Sequence, residues 1–567
     1  MMNKRMVSSG EGKDCGQFLS VRILLLSFFT LLVHNLYQEH GFFLKDRAHI
    51  PSNIAYFLYV YVLISLLLYA FHGIGKRNGG GVLLSASKLE GMVKLFAWNR
   101  KNIVRTALII FAVTVLHDII WYPGQVQGDT FLMIQDYITG MQPLKGANWA
   151  SDTPYFLNAH HPIVDTALYS WFYKLGEAFG SANAGIFTYS LLQGLAGSFC
   201  CSLMLCSLTL LNVPAPYISA GFLYIVLLPY IPVYLTTVMK DSTNGICFIL
   251  YYTVFVHILV RGGSRKKWTA LMISALLVTL TKQTGIYIVT VSTVFLLFEK
   301  QLRRNWKSIL LCTVIPVLVW FVIFPKIVYP ALKVRTENIH EALGVPFQQM
   351  ALTVIEHEDE LSEEEKETIG RVLDYEKIKT KFRYDLTDPV KNTYNGKASG
   401  RDVAECMKLW VKLGIRHPKT YLSALAGTCG RYFVPDMSIT PVNYTFTNQM
   451  EDRVHLYVPE NWKAVRQFFA EIYSALVQTP ILNILFAQVI SAFWLPLYVF
   501  CLAIRRRSGK TGLAAVPVYL SVLCLLLSPH AVNRYAAQLI FTLPMTAGLA
   551  ALLDCSGKRV SDSGRLL

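Results

Sequence analysis

The sequence predicts an all-α polytopic membrane protein, with about twelve transmembrane helices and a mainly α-helical extracytoplasmic domain. Three observations predict it. The 567 residues are 53% hydrophobic and only 16% charged, with a mean hydropathy of +0.40, whereas soluble domains are about 45–50% apolar and about 25% charged. Apolar runs of helix length recur along the chain, and the basic residues cluster in short loops between alternate runs.

A bilayer core about 30 Å thick takes roughly 20 apolar residues of helix. Runs of this kind lie near 18–37, 52–72, 103–122, 185–211, 216–238, 243–261, 267–281, 284–299, 308–328, 475–503, 512–529 and 534–554. The seventh and eighth are short and separated only by Lys282 and Gln283. The first follows a basic N-terminus, as a signal peptide would. It is too long for such an apolar region and lacks a small-x-small cleavage site, so an uncleaved helix is expected.

Charge orients the runs. With the N-terminus inside, the even-numbered loops become cytoplasmic. They carry Lys76, Arg77, Lys88, Lys94, Arg100 and Lys101, then Arg265 to Lys267, then Lys300, Arg303, Arg304 and Lys307, then Arg505 to Arg507 and Lys510. The tail adds Lys558 and Arg559. The positive-inside rule then places both termini in the cytoplasm of a cell whose plasma membrane the chain crosses. The predicted units are 1–102, two helices and a basic cytoplasmic loop; 103–328, seven membrane helices with an outer loop at 123–184; 329–474, the extracytoplasmic domain; and 475–567, three helices and a short tail. Within the third unit, Arg401 to Leu413 has apolar positions at helical spacing and stops before Pro418.

The net charge of +17 is a matter of topology rather than of nucleic acid, because no zinc-finger, basic-zipper or RNA-stacking motif accompanies it. The expected partner is the lipid bilayer. Eleven cysteines are scattered, mostly in apolar runs, and none forms a CxxC pair. Cys406 and Cys429 fall in the polar domain, where one disulfide between them is allowed.

Unusual polar residues gather at the outward level. The loop after the third run reads Trp121-Tyr122-Pro123-Gly124, then Gly128-Asp129-Thr130 and Gln135-Asp136, then His160-His161-Pro162. Pro123 and Gly124 end the helix sharply and leave Asp129 a few residues past the bilayer boundary. Pro162 suits the first position of a helix, which makes His161 its expected N-cap. That helix, roughly Pro162 to Phe179, mixes Asp165, Lys174 and Glu177 with apolar residues, as an interfacial helix does. Lys240 and Asp241 fall in the next outward turn, Lys282 in another, and His530 and Arg534 before the last run. Snorkelling accounts for any one of these cations. Together they favour a shared polar site, in which cations suit a phosphate and a carboxylate suits a base. His160 and His161 at a helix start suit an anion equally.

These residues carry a resemblance. The long outer loop with an aspartate just past a membrane helix, its interfacial helix and the later polar domain resemble the GT-C superfamily of membrane glycosyltransferases. The strings WYPGQVQGDT, HHP, MKDSTNG, TKQTGIY and RYAAQLIFTLP resemble a bacterial multipass family, domain of unknown function 6020, from about residue 100 onward. The GT-C resemblance implies a seven-helix core at 103–328, preceded by two added helices. It implies Asp129 as the catalytic acid of the first outer loop, followed by Thr130 where paired acids are common. The implied reaction moves a sugar from a polyprenyl-phosphate donor to a glycan, lipid or protein acceptor of the cell envelope. Asp129 would take the acceptor proton, while His160, His161, Lys240, Lys282 and Arg534 bind the donor phosphate and Asp136, Asp241 and His530 support them. No GxxxxGK[ST] motif is present, which fits a lipid donor on a face without nucleotide sugars. A divalent ion, Mg or Mn, held by Asp129 with His160 or His161 is a further possibility. Two other readings share these features: a transporter or flippase for a lipid-linked saccharide, and a non-catalytic envelope assembly protein. The first would ordinarily show two related halves, which the sequence lacks.

Overall fold

The computed structural model describes residues 7–38, 49–76, 94–140, 156–336, 339–435, 453–479 and 482–555. These residues are helical almost throughout. Their one sheet is a two-residue parallel pairing of Leu157–Asn158 with Val334–Arg335.

Five helices are long and apolar enough to cross a membrane: Ile50–Ile74, Arg100–Ile120, Ala182–Leu210, Lys240–Arg261 and Arg303–Ala331. Two further pairs qualify only when joined, because each is bent. Ala215–Leu227 meets Tyr230–Thr236 at 66°, and Asn533–Phe541 meets Leu543–Leu553 at 48°. Shorter apolar helices cover Val21–Tyr37, Gly285–Phe298, Ile490–Arg505 and Val516–Leu525. The run at 267–281 forms Arg265–Thr281, only 17 residues long and opening on three basic ones. Among the described residues, between five and seven elements thus have the length and composition of a span, against twelve apolar runs in the sequence. Their facing sides are closed by residues such as Phe248, Tyr251, Phe255, Leu271 and Val278. Leu108, Leu116, Phe298, Leu310 and Leu311 point outward, where only a non-aqueous surrounding avoids a large apolar patch in water.

The run at 475–503 is not one helix. An amphipathic helix, Glu460–Gln478, ends at Thr479, which is extended, and the next apolar helix starts at Ile490. Pro480 follows Thr479 in the sequence, and a proline disfavours α conformation in the residue before it.

Residues 339–435 enclose a core of their own, built on Phe347, Met350, Ile369, Val372, Val403 and Leu413. The expected helix is Gly400–Arg416, opened by a capping box of Ser399 and Asp402, and Pro418 starts the following helix, Pro418–Cys429. Cys406 and Cys429 are both free and buried. They lie in different cores: Cys406 contacts Met350 inside this domain, whereas Cys429 packs among the apolar helices.

A second capping box, Ser362 with Glu365, opens Glu363–Val372. The Glu365 carboxylate also takes Arg416 and Lys412, each at 2.9 Å. Arg416, working against burial and joined by Lys412, pulls this carboxyl down to about 2. A depressed acid stabilises the fold fully above its ordinary value near pH 4.3, and that contribution fades as pH falls toward 2. The thermal midpoint should therefore drop steeply over that window in the native protein. Glu365→Gln should start lower at neutral pH and show a shallower slope; equal slopes would remove Glu365 from the account.

Candidate functional site

The site is assembled by two interruptions in otherwise apolar helices. Arg100–Ile120 ends at Trp121, after which a cis Tyr122–Pro123 bond and Gly124, at a φ of +116°, turn the chain. Gly124 is needed there, because an L side chain rarely adopts that backbone angle. Residues Gln125 to Gln127 then run extended. The second interruption is the 66° bend at Pro229, which breaks the run at 216–238 and leaves Thr237 to Met239 extended. The two extended stretches pair. Val126 bridges Val238, the Val238 amide donates to the Gln125 carbonyl at 2.8 Å, and Thr130 Oγ1 donates to the Val238 carbonyl at 2.7 Å.

Two helices therefore start side by side, Gly128–Thr139 and Lys240–Arg261. A third, Ile163–Ala178, starts against them. Its N-cap is Pro162, with no side-chain cap, so His161 does not cap the helix. The fixed φ of Pro162 and its position one residue nearer the helix account for the shift. Each of the three first turns carries one aspartate: Asp129, Asp241 and Asp165. Helix N-termini carry partial positive charge and favour such groups.

Three cations complete an alternating chain. Lys282 Nζ donates to Asp241 Oδ1 at 2.6 Å. Arg534 Nε lies 3.9 Å from the other oxygen of Asp241, while its Nη1 donates to Asp129 Oδ2 at 2.9 Å. Lys240 Nζ stands 3.4 Å from the same Asp129 oxygen and donates to His161 Nδ1 at 3.2 Å. Tyr535 underlies the chain, its ring 5.3 Å from Lys282 and 5.2 Å from Arg534. Burial opposes ionisation of Asp129, but Lys240 and Arg534, with His161, outweigh it and hold its carboxyl well below the usual range. For His161, burial, then Lys240, then His160 push the imidazole well below its ordinary value, leaving Nδ1 free to accept.

The remaining expected residues divide. His160 turns away from Asp129 toward Glu341, at 4.0 Å, and Glu341 is held by Lys391 at 2.6 Å. Asp136 lies two helical turns beyond Asp129. Burial pushes its carboxyl up to about 6, which Arg335 offsets only in part. His530 stands beside the group with its ring 5.8 Å from Tyr535; burial and then Arg534 lower its pKa. Asp165 was hidden from sequence reasoning by its mixed helix. It is fully buried with neither carboxylate oxygen hydrogen-bonded, and burial raises its pKa well above the usual value. A helical projection would have found it, since Asp165, Tyr169 and Tyr173 share the buried face while Leu168, Trp171, Leu175 and Phe179 form an exposed apolar stripe.

Two cationic side chains lie on Asp129 where a divalent ion would have to sit. As arranged, Asp129, His160 and His161 are not a metal donor set. The arrangement suits an anion instead: helix N-termini and cations that can exchange a carboxylate for a phosphate.

Comparison with known proteins gives one match. The model of a family of unknown function, DUF6020, matches residues 149–556. That stretch includes His160, His161, Asp165, Lys240, Asp241, Lys282 and Arg534, and it begins after Asp129. No curated protein and no solved structure matches the chain.

Proposed function

The chain belongs to the DUF6020 family, whose function is unknown; from the charged site that this family member carries, we propose that it is a membrane glycosyltransferase of GT-C type. It moves a sugar from a polyprenyl-phosphate donor to a cell-envelope acceptor at the outward face of a bacterial plasma membrane. The observation that carries the reading is the convergence of three helix N-termini, each with a first-turn aspartate, on Lys240, Lys282 and Arg534 at the ends of apolar helices. A lipid phosphate arriving from the bilayer meets fixed positive charge there at the moment a leaving group needs it.

The donor phosphate takes over Lys240 and Arg534, which releases Asp129 and lets its proton affinity rise. Asp129 then accepts the proton of an acceptor hydroxyl. The acceptor oxygen bonds to the anomeric carbon as the bond from that carbon to the phosphate oxygen breaks. The electron pair leaves with the lipid phosphate, held by Lys240 and Arg534. No step passes through a metal.

Protein purified in lipid, offered a panel of polyprenyl-phosphate sugars, tests this reading by release of the lipid phosphate. Asp129→Asn should lower turnover by about 10²–10⁴-fold, the usual worth of a general base, and leave donor binding intact. Binding without turnover in either protein would make the chain a transporter of the lipid-linked saccharide. No interaction with any donor would make the charge chain a structural staple in an assembly protein.

A further inference from the structure

At the far end of the helix Gly344–His357, roughly 20 Å along its axis from Glu341, a second group of ionisable residues gathers. The helix ends on His357, and the short turn Glu358–Glu360 brings Glu360 back beneath it. His417, the residue that precedes Pro418–Cys429, stacks on His357 with ring centroids 4.0 Å apart.

Hydrogen bonding fixes which atoms are free. Thr420 Oγ1 donates its proton to Glu356 Oε2 at 2.8 Å. It can therefore only accept from His357 Nε2, which stands 3.0 Å away. This places a proton on Nε2, and Nδ1 faces Glu360 Oε1 at 2.8 Å. Either a second ring proton, which makes His357 an imidazolium, or a metal ion bound by both atoms holds them at that distance. His417 Nε2 is buried with no hydrogen-bond partner, 3.9 Å from the other Glu360 oxygen, and its residue is only 8% exposed. The three donor atoms lie within 4.8 Å of one another. Nitrogen and oxygen ligands about 2.0–2.2 Å from a tetrahedral zinc stand about 3.3–3.5 Å apart. His357 Nδ1 lies 2.8 Å from one Glu360 oxygen and His417 Nε2 3.9 Å from the other, and the rings, 21° from parallel, must turn out of their stack to share an ion.

We propose that His357 Nδ1, Glu360 and His417 Nε2 form a binding site for a divalent transition-metal ion. Two imidazoles and one carboxylate suit zinc, with a fourth position for water, and select against magnesium and calcium, which take oxygen alone. Thr420 is the outer partner that orients His357, passing its proton on to Glu356. The site is separate from the Asp129 group and stands whether or not that group transfers sugar.

Zinc or cobalt chloride, titrated into the full chain purified without a polyhistidine tag, tests the site by equilibrium dialysis and by the visible absorption of bound cobalt. One tight equivalent per chain is expected, with a tetrahedral cobalt spectrum. Thr420→Val should weaken it by about 10–100-fold, as loss of an outer partner does, and His417→Ala by more. Glu360→Gln, on a half-exposed residue, removes a ligand and should weaken zinc; because it also alters the zinc-free contact with His357 at 2.8 Å, the readout is zinc binding and not the thermal midpoint. His455→Ala, elsewhere on the surface, should change nothing. Absence of a stoichiometric equivalent would overturn the site and make His357 an imidazolium paired with Glu360. Binding that survives both His417→Ala and Glu360→Gln would overturn it equally.

Discussion

Replacing Arg534 with glutamine is expected to weaken binding of a polyprenyl-phosphate donor by about 100-fold or more, because truncating a desolvated charge partner costs at least about 2–3 kcal/mol. Arg534 is the hinge of the charge chain. It contacts both Asp129 and Asp241, and Asp241 is fully buried. The same substitution leaves two carboxylates sharing only the lysines, so the protein should also lose stability, at up to about 3 kcal/mol for pairs only partly buried.

Those two losses separate in the double variant Asp129→Asn/Arg534→Gln. It removes one charge of each sign, so much of the lost stability should return. If the chain of charges is a transfer site, turnover and donor binding stay absent, because neither the base nor the phosphate ligand has been restored. A structural staple behaves differently: the double variant would then match the native protein in every property that the single variant lost. Thermal midpoints and lipid-phosphate release on the three proteins decide between these outcomes. Native donor affinity in Arg534→Gln would refute the assignment at once.

How much of this was legible follows from what hydropathy and charge can carry. Apolar runs located the membrane helices because burial among helices and exposure to lipid demand the same residue types. For that reason they could not tell a straight helix from a bent one. Pro229 lies inside an unbroken apolar run, yet the chain turns by 66° there, and only that turn frees Val238 to pair with Val126. Asp129, Lys240, Lys282 and Arg534 were legible because a charge at the end of an apolar run stands out. Their pairing was not, since it joins residues from 41 to 405 positions apart. His160 and His161 look equivalent in sequence, but one faces Glu341 and the other Lys240. Asp165 and the pair His357 and His417 were missed for the same reason: neighbours along the chain disguise them, and only tertiary contact makes them unusual.

Arg466 should prove as important to the site as any residue within it. It sits on Glu460–Gln478, a helix whose position no hydropathy window reveals because it is amphipathic. Its side chain is buried beneath the turn that follows Arg100–Ile120. Nη1 donates to the Trp121 carbonyl at 2.7 Å, to Tyr122 at 3.2 Å and to Gly124 at 3.4 Å, while the guanidinium lies 5.2 Å over the Trp121 ring. Trp462, one turn earlier, donates to the Ile119 carbonyl at 2.8 Å. This helix therefore caps the exposed carbonyls of the membrane helix and holds the turn from which Asp129 is launched. Arg466→Met keeps much of the volume but strips every donor, leaving the Tyr122 and Gly124 carbonyls without this partner at about 1–3 kcal/mol each, while the Trp121 carbonyl keeps the Gly124 amide at 2.7 Å. A combined loss of about 3–5 kcal/mol is expected, read as a fall in thermal midpoint, together with a larger loss in turnover than in donor binding. Arg466→Lys should recover part of the loss, because all three bonds run to the single nitrogen Nη1, a position that an ammonium can approach. A native midpoint in Arg466→Met would mean that the turn holds its own shape, and that Asp129 owes its place to the Val126–Val238 pairing alone.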